Sequence, residues 1–482
     1  MTAITLTNPF TGEPVFSAPC EAFATVAERA STAQQASQAW SALAPARRAA
    51  AVLEALEYFE QHRDEIAAGI TREMGKPLQA AGEELDFMLE RARQMCQFAE
   101  QGAFDSLDLS RWWDEDFQGR IDYRAKGVIY IISPWNYPLF CAINGTVCAL
   151  LAGSAVLLKH TTTPSVGEHF ANAFGSLAGI DGLLHHVVVD FNTSARIIEE
   201  AQINHVVFTG SVRGGREIAA SVARRCQNTV ANPFIQCSLE LGSNDAAYIA
   251  EDADLDEAAF WTVKIGRLHN SGQSCCATKR VYVHSSLHDD FLDRATAIMA
   301  AEINGDPNDP ATTLGPLFGG RASVDRLLAM IDDARQRGAR VVTGGEVQRI
   351  GNCDFLLPTL IAEVDHGMEL MREETFGPVL PVMRVDDDDT AARLVGDTRY
   401  GLTSSIFTVS RERAETFIST RHSGTVYVNC CNYVDARLGW IGHGHSGNGS
   451  IALSPAGLQA FSALRSVNIN PKRFSRCTRT NT

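Results

Sequence analysis

Nowhere does this sequence hold an apolar run long enough to cross a bilayer. Its start, Met1-Thr2-Ala3-Ile4-Thr5-Leu6, lacks the basic residues and apolar core of a signal peptide, so a cytoplasmic protein is expected. Basic residues are in deficit: 42 Lys+Arg against 57 Asp+Glu leave a formal charge of -15, which disfavours nucleic acid or an anionic membrane as the main partner. The 12 cysteines form no C-x-x-C pairs at zinc spacing and sit in no loop-rich secreted composition, so reduced thiols and no metal site are expected. Internal repeats and charge blocks are lacking as well. What remains is a chain of 482 residues, 45% hydrophobic and 21% charged, which is enough for two or three globular domains with buried cores.

After an extended lead (Asn8 to Pro14), residues 25–102 read as a helical array. Val52, Leu53, Leu56 and Phe59 share one helical face with Glu54, Glu57 and Glu60 on others, and Leu85, Met88, Leu89 and Met95 repeat the pattern. From Val128 the period changes. Short β-rich runs at 128–132, 155–158, 186–189 and 205–208 alternate with helix-length segments, which argues for βαβ crossovers and a parallel sheet. Ligands of such sheets bind beyond the carboxyl ends of the strands. A second alternating region follows Cys276, and the polar end after Asn470-Pro471 reads as loose.

Several segments then fall where chemistry is expected. The first strand runs into Ser133-Pro134-Trp135-Asn136-Tyr137-Pro138, a rigid turn that leaves the Asn136 amide as an oxyanion donor or, equally, a turn-former bonded to its own backbone. Lys159 ends the second strand, where lysines are also commonly just solvated. Gly210-Ser211 precede a helix expected to begin near Arg216, and free amides at such a terminus suit a phosphate, although the stretch is not the G-x-G-x-x-G fingerprint. Glu240 lies between leucines in a segment that should be buried, where a carboxylate has a raised pKa suited to a general base, or is paired with a basic residue. The stretch Asn270-Ser271-Gly272-Gln273-Ser274-Cys275-Cys276 offers flexible backbone and exposed amides beside a thiol. On those seven residues alone, the two adjacent thiols read better as small buried hydrophobes.

Pro134-Trp135-Asn136, Phe208-Thr209-Gly210-Ser211, Leu239-Glu240-Leu241-Gly242, Gly272-Gln273-Ser274-Cys275, Glu374-Thr375-Phe376-Gly377-Pro378 and Ser446-Gly447, in this order, resemble the NAD(P)-dependent aldehyde dehydrogenase superfamily over nearly the whole chain. The resemblance implies an α/β fold with a Rossmann-like cofactor domain (1–118 and 127–240) and an α/β catalytic domain (241–430). A bridging and oligomerisation segment with substrate-site loops (119–126 and 431–475) and a loose tail (476–482) complete the division. Residues 119–126 and 464–470 look like the strands that pair with a neighbouring subunit, so a homodimer or homotetramer is expected.

Position by position, the resemblance makes Cys275 the nucleophile toward an aldehyde, with the oxyanion held by the Asn136 amide and the Cys275 N–H. Glu240 becomes the base that activates water to hydrolyse the thioester. NAD or NADP would be held by Lys159, Thr162, Gly210, Ser211, Gly242 and Glu374, with Trp135 and Phe376 as apolar walls; Cys276 is a packing neighbour. Two rivals stand beside this reading: transfer of the acyl group to coenzyme A, against which Glu240 argues, and a non-catalytic NAD(P)-binding relative, against which the retained Cys275, Glu240 and Asn136 argue.

The chain departs from the family pattern in places. Thr162 stands where many members carry a glutamate on the adenosine ribose, and threonine does not repel a 2′-phosphate, so NADP is tolerated on this reading. Ser243 replaces a second glycine, Leu268 an aromatic, and a lysine usual before the late Ser-Gly is replaced in Gly442-His443-Gly444-His445-Ser446-Gly447. Residues 225–233 look like an insertion before Glu240. The substrate tunnel would be lined by Tyr137, Phe140, Leu268 and the segments 430–433, with Cys431, and 437–445, with His443 or His445 as polar contacts and Arg437 able to meet a semialdehyde carboxylate; plain solvent exposure explains Arg437 and the histidines better.

Overall fold

The computed structural model describes residues 3–114 and 117–474. Four helices, Phe23–Ser41, Pro45–Gln61, Arg63–Met74 and Leu78–Glu100, form the expected helical array. Pro45 opens its helix at the first turn, where a missing N–H costs nothing, and Gly75 closes Arg63–Met74 in the left-handed conformation (φ 80°). Val52, Leu56 and Phe59 are buried with the glutamates between them exposed, and Leu85, Met88, Leu89, Ala92 and Met95 bury the long helix. These side chains join one core with the first sheet, and Trp40 Nε1 ties the layers by donating to Leu150 O at 2.7 Å.

That sheet has five parallel strands in the order Gln236–Glu240, His205–Thr209, Val128–Ile132, Ala155–Lys159, Leu184–Val187. Val128–Ile132 and Ala155–Lys159 are buried at every position, which explains their unbroken apolar runs. The strand expected at 186–189 lies two residues earlier. Val188 leaves the ladder because its N–H goes to Glu21 Oε1 (2.8 Å) and its carbonyl accepts from Glu21 N (2.9 Å). The helix expected near Arg216 begins at Val212 instead, because Ser211 caps it by accepting from Gly214 N at 3.1 Å and the two glycines lie inside the first turn.

A second sheet of seven strands runs Arg340–Thr343, Thr359–Ala362, Val379–Val385, Arg280–His284, Ala246–Ile249, Thr403–Phe407, Thr425–Val428, all parallel except at the Arg340–Thr343 edge. Gln118–Ala125 and Ser462–Ile469 form a separate antiparallel ribbon, in register from Ser462↔Ala125 to Ile469↔Gln118. Leu464 on it is 68% exposed. The end is not loose throughout, since Pro471–Phe474 forms a short helix; the tail 476–482 lies outside the described residues. No described helix is long and apolar enough to cross a membrane.

Candidate active site

In the first sheet the strand order reverses between Val128–Ile132 and its neighbour His205–Thr209, and a crevice opens beyond their carboxyl ends. Trp135-Asn136 and Gly210-Ser211 follow these two strands directly. Trp135 stacks on Phe318 (ring centroids 4.4 Å, 15°) and meets Phe376 edge-on (5.7 Å, 84°). Asn136 is buried; its Nδ2 donates to Gln273 O at 3.1 Å, and its own carbonyl accepts from Asn270 Nδ2 at 2.8 Å. The turn after the first strand is thus stapled to the stretch that carries Cys275.

That stretch is delivered by an unusual backbone. Helix Leu255–Ala259 continues as a π-helix, Phe260–Leu268, and then Asn270, Ser271 and Gly272 all take positive φ (55°, 54° and 74°). Gly272 is obligatory, because a Cβ there would stand 2.3 Å from Gly377 O. Strain of this kind persists only where the surroundings enforce it, and here Ser271 Oγ donates to Gly315 O (2.8 Å) and Arg267 Nη2 to Gly272 O (2.5 Å). Cys275 is partly exposed and Cys276 buried. The neighbouring thiols interact: Cys276 and burial push Cys275 up, while the Cys275 thiol lowers Cys276. Cys275 therefore rests as a thiol. Its carbonyl accepts from the Ser243 hydroxyl and from Lys279 Nζ (2.5 Å), and Lys279 is itself wholly buried. Ser243 thus turns its hydroxyl to the backbone of Cys275.

Glu240 ends the edge strand of the first sheet. It lines a narrow cavity together with Cys275, Cys141, Asn144 and Trp440. Its carboxyl is buried, and Oε2 has no hydrogen-bond partner among the described residues. Desolvation alone raises its pKa well above the ordinary 4.5. The late Ser446-Gly447 segment clamps this strand end: Leu241 N donates to Ser446 O at 2.9 Å, and Gly447 bridges Glu240.

Around the crevice, Lys159 is buried with Nζ 3.4 Å from Thr161 Oγ1 and 5.3 Å from the Phe191 ring centroid, and desolvation lowers it to about 8. Thr162 Oγ1 is buried and has no partner. Glu374 accepts from Ser243 N at 2.9 Å, and a Cβ on Gly242 would lie 2.4 Å from its carboxylate, so the glycine permits that approach. The residues present fit a dinucleotide: a capped helix terminus at Ser211, a buried lysine with no carboxylate in ion-pair contact among the described residues, an orphaned hydroxyl and two aromatic walls.

The expected tunnel residues separate. Tyr137 is buried, bonds His269 Nδ1 at 2.7 Å and stacks on Phe140. Cys431 is buried with Sγ 3.1 Å from Trp261 O. Leu268 packs in the core of the second sheet with Val263, Val281 and Val283. Arg437 has a 69% exposed side chain and is held by Asp435, and His445 meets Tyr400 edge-on. Three participants had no place in the sequence reading, Lys279, Phe318 and Arg91, while Asn432, whose Oδ1 accepts from Cys276 Sγ at 3.0 Å, falls in the segment 430–433 expected near the tunnel. For Arg91 a signal existed, because it falls with Glu84, Met88 and Met95 on the apolar face of its helix.

The fold, the crevice at the strand reversal and the cysteine beside it define a dinucleotide-dependent enzyme class, and the model of the aldehyde dehydrogenase family matches residues 1–467: the chain belongs to that family. It is an NAD(P)-dependent oxidoreductase acting on aldehydes. It is similar to a succinate-semialdehyde dehydrogenase [NADP(+)] of Deinococcus radiodurans, 32% identical over 470 residues, covering 97% of this chain and 94% of that protein. It is also similar to the succinate semialdehyde dehydrogenase [NAD(P)+] Sad of Escherichia coli (33% over 409 residues; 84% of each). Among solved structures, lactaldehyde dehydrogenase from Escherichia coli superposes with a TM-score of 0.89 at 28% identity, covering 98% of this chain and 96% of that one. Succinic semialdehyde dehydrogenase from Streptococcus pyogenes in complex with NADP+ gives 0.88 at 26% identity, over 97% of this chain and 100% of that one.

Proposed function

We propose that this enzyme oxidises an aldehyde bearing a carboxylate, a semialdehyde, to the corresponding dicarboxylic acid, and accepts NADP. The Cys275 thiol gives up its proton to solvent, Sγ attacks the carbonyl carbon, and the resulting oxyanion is held by the Cys275 N–H and by the Asn136 N–H not engaged by Gln273. The nicotinamide, when bound, supplies the hydride acceptor, which leaves a thioester on Cys275. Glu240 as carboxylate takes a proton from water, the water attacks the thioester, and the acid leaves as the thiol reforms. The observation that carries this reading is the unpartnered Glu240 carboxyl on the same cavity as Cys275, since a general base needs a free oxygen beside the reacting carbon. It favours hydrolysis over transfer to coenzyme A.

Tolerance of the 2′-phosphate is supported by the orphaned Thr162 hydroxyl near buried Lys159, and by relatives named for NADP(+). Semialdehyde oxidation is supported by the names of those relatives. The ribbon of Gln118–Ala125 and Ser462–Ile469, exposed along much of its length, is proposed to pair with a second copy, in a cytoplasmic homo-oligomer with the domain division given above.

The deciding measurement is kcat/KM over aliphatic, aromatic, amino- and carboxy-aldehydes with both cofactors, with the product identified as free acid or, when coenzyme A is supplied, as thioester. A carboxy-aldehyde with NADP giving free acid is the expected result. A preference for NAD beyond about a hundredfold overturns the cofactor reading. Retention of activity by Cys275→Ala overturns the mechanism.

A further inference from the structure

We infer that Arg91, not Arg437, is the anchor for the carboxylate of the aldehyde substrate. This rests on the semialdehyde reading above. Arg91 projects inward from helix Leu78–Glu100 and is 8% exposed. Its guanidinium carbon lies 4.2 Å from the Phe140 ring centroid, Nη1 donates to Asn144 Oδ1 at 3.0 Å, and Nη2 donates to Val434 O at 3.3 Å. Among the described residues no carboxylate stands within ion-pair distance of it. Outward-facing Arg93 on the same helix pairs with Glu60, and buried Lys76 just before the helix pairs with Glu84. A guanidinium taken out of water without an anion is expensive, and burial lowers its pKa only to about 10, so it stays cationic at neutral pH.

Of the three groups that hold Arg91, Asn144 lines the reaction cavity, so the guanidinium stands directly behind that wall. Phe140 and Asn144 belong to helix Pro138–Leu151, which begins directly after Asn136 and Tyr137, and Asn144 lines the same cavity as Cys275 and Glu240. Val434 lies two residues after Asn432, the acceptor for Cys276 Sγ. Arg91 is felt electrostatically by Cys141 and Cys276 and, beyond ion-pair distance, by Glu84, whose carboxylate is already engaged by Lys76. In the proposed complex the aldehyde carbon lies at Cys275 and the carboxylate of the same short substrate reaches Arg91 beside Asn144. The planar fork of arginine receives a carboxylate through two parallel N–H donors, and the donors not used by Asn144 and Val434 remain for it. Arg437 is poorly suited, being exposed and already bound through Nε and Nη2 to Asp435.

The test pairs succinate semialdehyde with butanal, which has the same chain length without the carboxylate, and compares wild type with Arg91→Met, Arg91→Lys and Arg437→Met. The expected result is a loss of about a hundredfold in kcat/KM for the semialdehyde in Arg91→Met, carried by KM, with butanal changed by less than about threefold. Arg91→Lys should recover part of the loss, and Arg437→Met should match wild type. Equal losses on both aldehydes, or none on either, overturn the anchor while leaving the semialdehyde reading intact if wild type still prefers that substrate. No such preference in wild type overturns both. Should Arg91→Met fail to fold, Arg91→Lys decides alone, by a rise in KM confined to the semialdehyde or its absence.

Discussion

Glu84 and Glu240 are both buried glutamates, yet their surroundings differ in kind. Glu84, 3% exposed, pairs through Oε2 with Lys76 and accepts through Oε1 from Leu139 N (2.9 Å) and Phe140 N (3.2 Å), the first free amides of helix Pro138–Leu151. Every acceptor there is engaged, and the effect is mechanical: the helix that follows Asn136 is pinned to the helical layer. Glu240, 8% exposed, has an oxygen with nothing to accept from. Burial is common to both, so burial does not mark the reactive group. The missing partner does, because only an unengaged carboxyl can exchange a proton with water at the thioester.

The sharpest test of this contrast is Glu240→Gln. It should remove about three orders of magnitude of aldehyde-to-acid turnover by abolishing the base. Thioester should then accumulate in a single-turnover burst. Its effect on stability should run the other way. The folded pKa of Glu240 lies above 4.5, so the folded state binds the proton more tightly than the unfolded chain. The contribution of Glu240 to stability is then fully present below pH 4.5 and is lost as pH rises through the folded pKa. Glu240→Gln escapes that loss, so its unfolding midpoint should exceed wild type at pH 8 and converge with it at pH 4. A variant less stable than wild type at pH 8 would contradict an unpartnered carboxyl.

Glu84→Gln should do the opposite on both counts. It leaves Lys76 charged and buried without its anion, a change that costs about 3 kcal/mol in denaturant unfolding. Catalysis should fall only as far as the loosened helix start displaces Asn136, by about tenfold. Loss of turnover as deep as that of Glu240→Gln, with stability unchanged, would erase the distinction between the two carboxyls.

Much of this architecture is legible in the chain itself. Val128–Ile132 and Ala155–Lys159 are buried on both faces and so are written as unbroken apolar runs. The amphipathic helices announce their inner faces through Val52, Leu56 and Phe59. Glu240 between two leucines signals a buried carboxyl, but its lack of a partner is a fact of three dimensions. Likewise, nothing in the sequence says that Asp435 claims Arg437, or that Lys279 reaches back to the Cys275 carbonyl. Arg91 sits at a core position of its helix, so the sequence carries the anomaly; choosing it over Arg437 requires knowing that Asn144 and Val434 meet there. The early start of the helix at Val212 was hidden because Gly214 and Gly215 read as loop, while the cap that overrides them is one hydroxyl on Ser211.

The contrast between partnered and orphaned polar groups recurs, at smaller scale, in two adjacent threonines. Thr163 Oγ1 bonds His160 Nδ1 at 2.8 Å and helps fix that buried ring, whereas Thr162 Oγ1 has no acceptor or donor. Thr163→Val should therefore lower stability by about 1 kcal/mol and leave cofactor preference alone. Thr162→Val should leave stability unchanged, because no bond is lost, and should raise KM for NADP by about tenfold relative to NAD, the worth of one hydrogen bond to a charged phosphate. Lys159 supplies a second handle on the same preference. Its ammonium is lost as pH rises through about 8, so kcat/KM for NADP should fall above that pH, in Thr162→Val as in wild type. If Thr162→Val destabilised the protein and left the NADP/NAD ratio untouched, the hydroxyl would be a structural group, and an orphaned polar atom would lose its value as a marker of ligand contact in this fold.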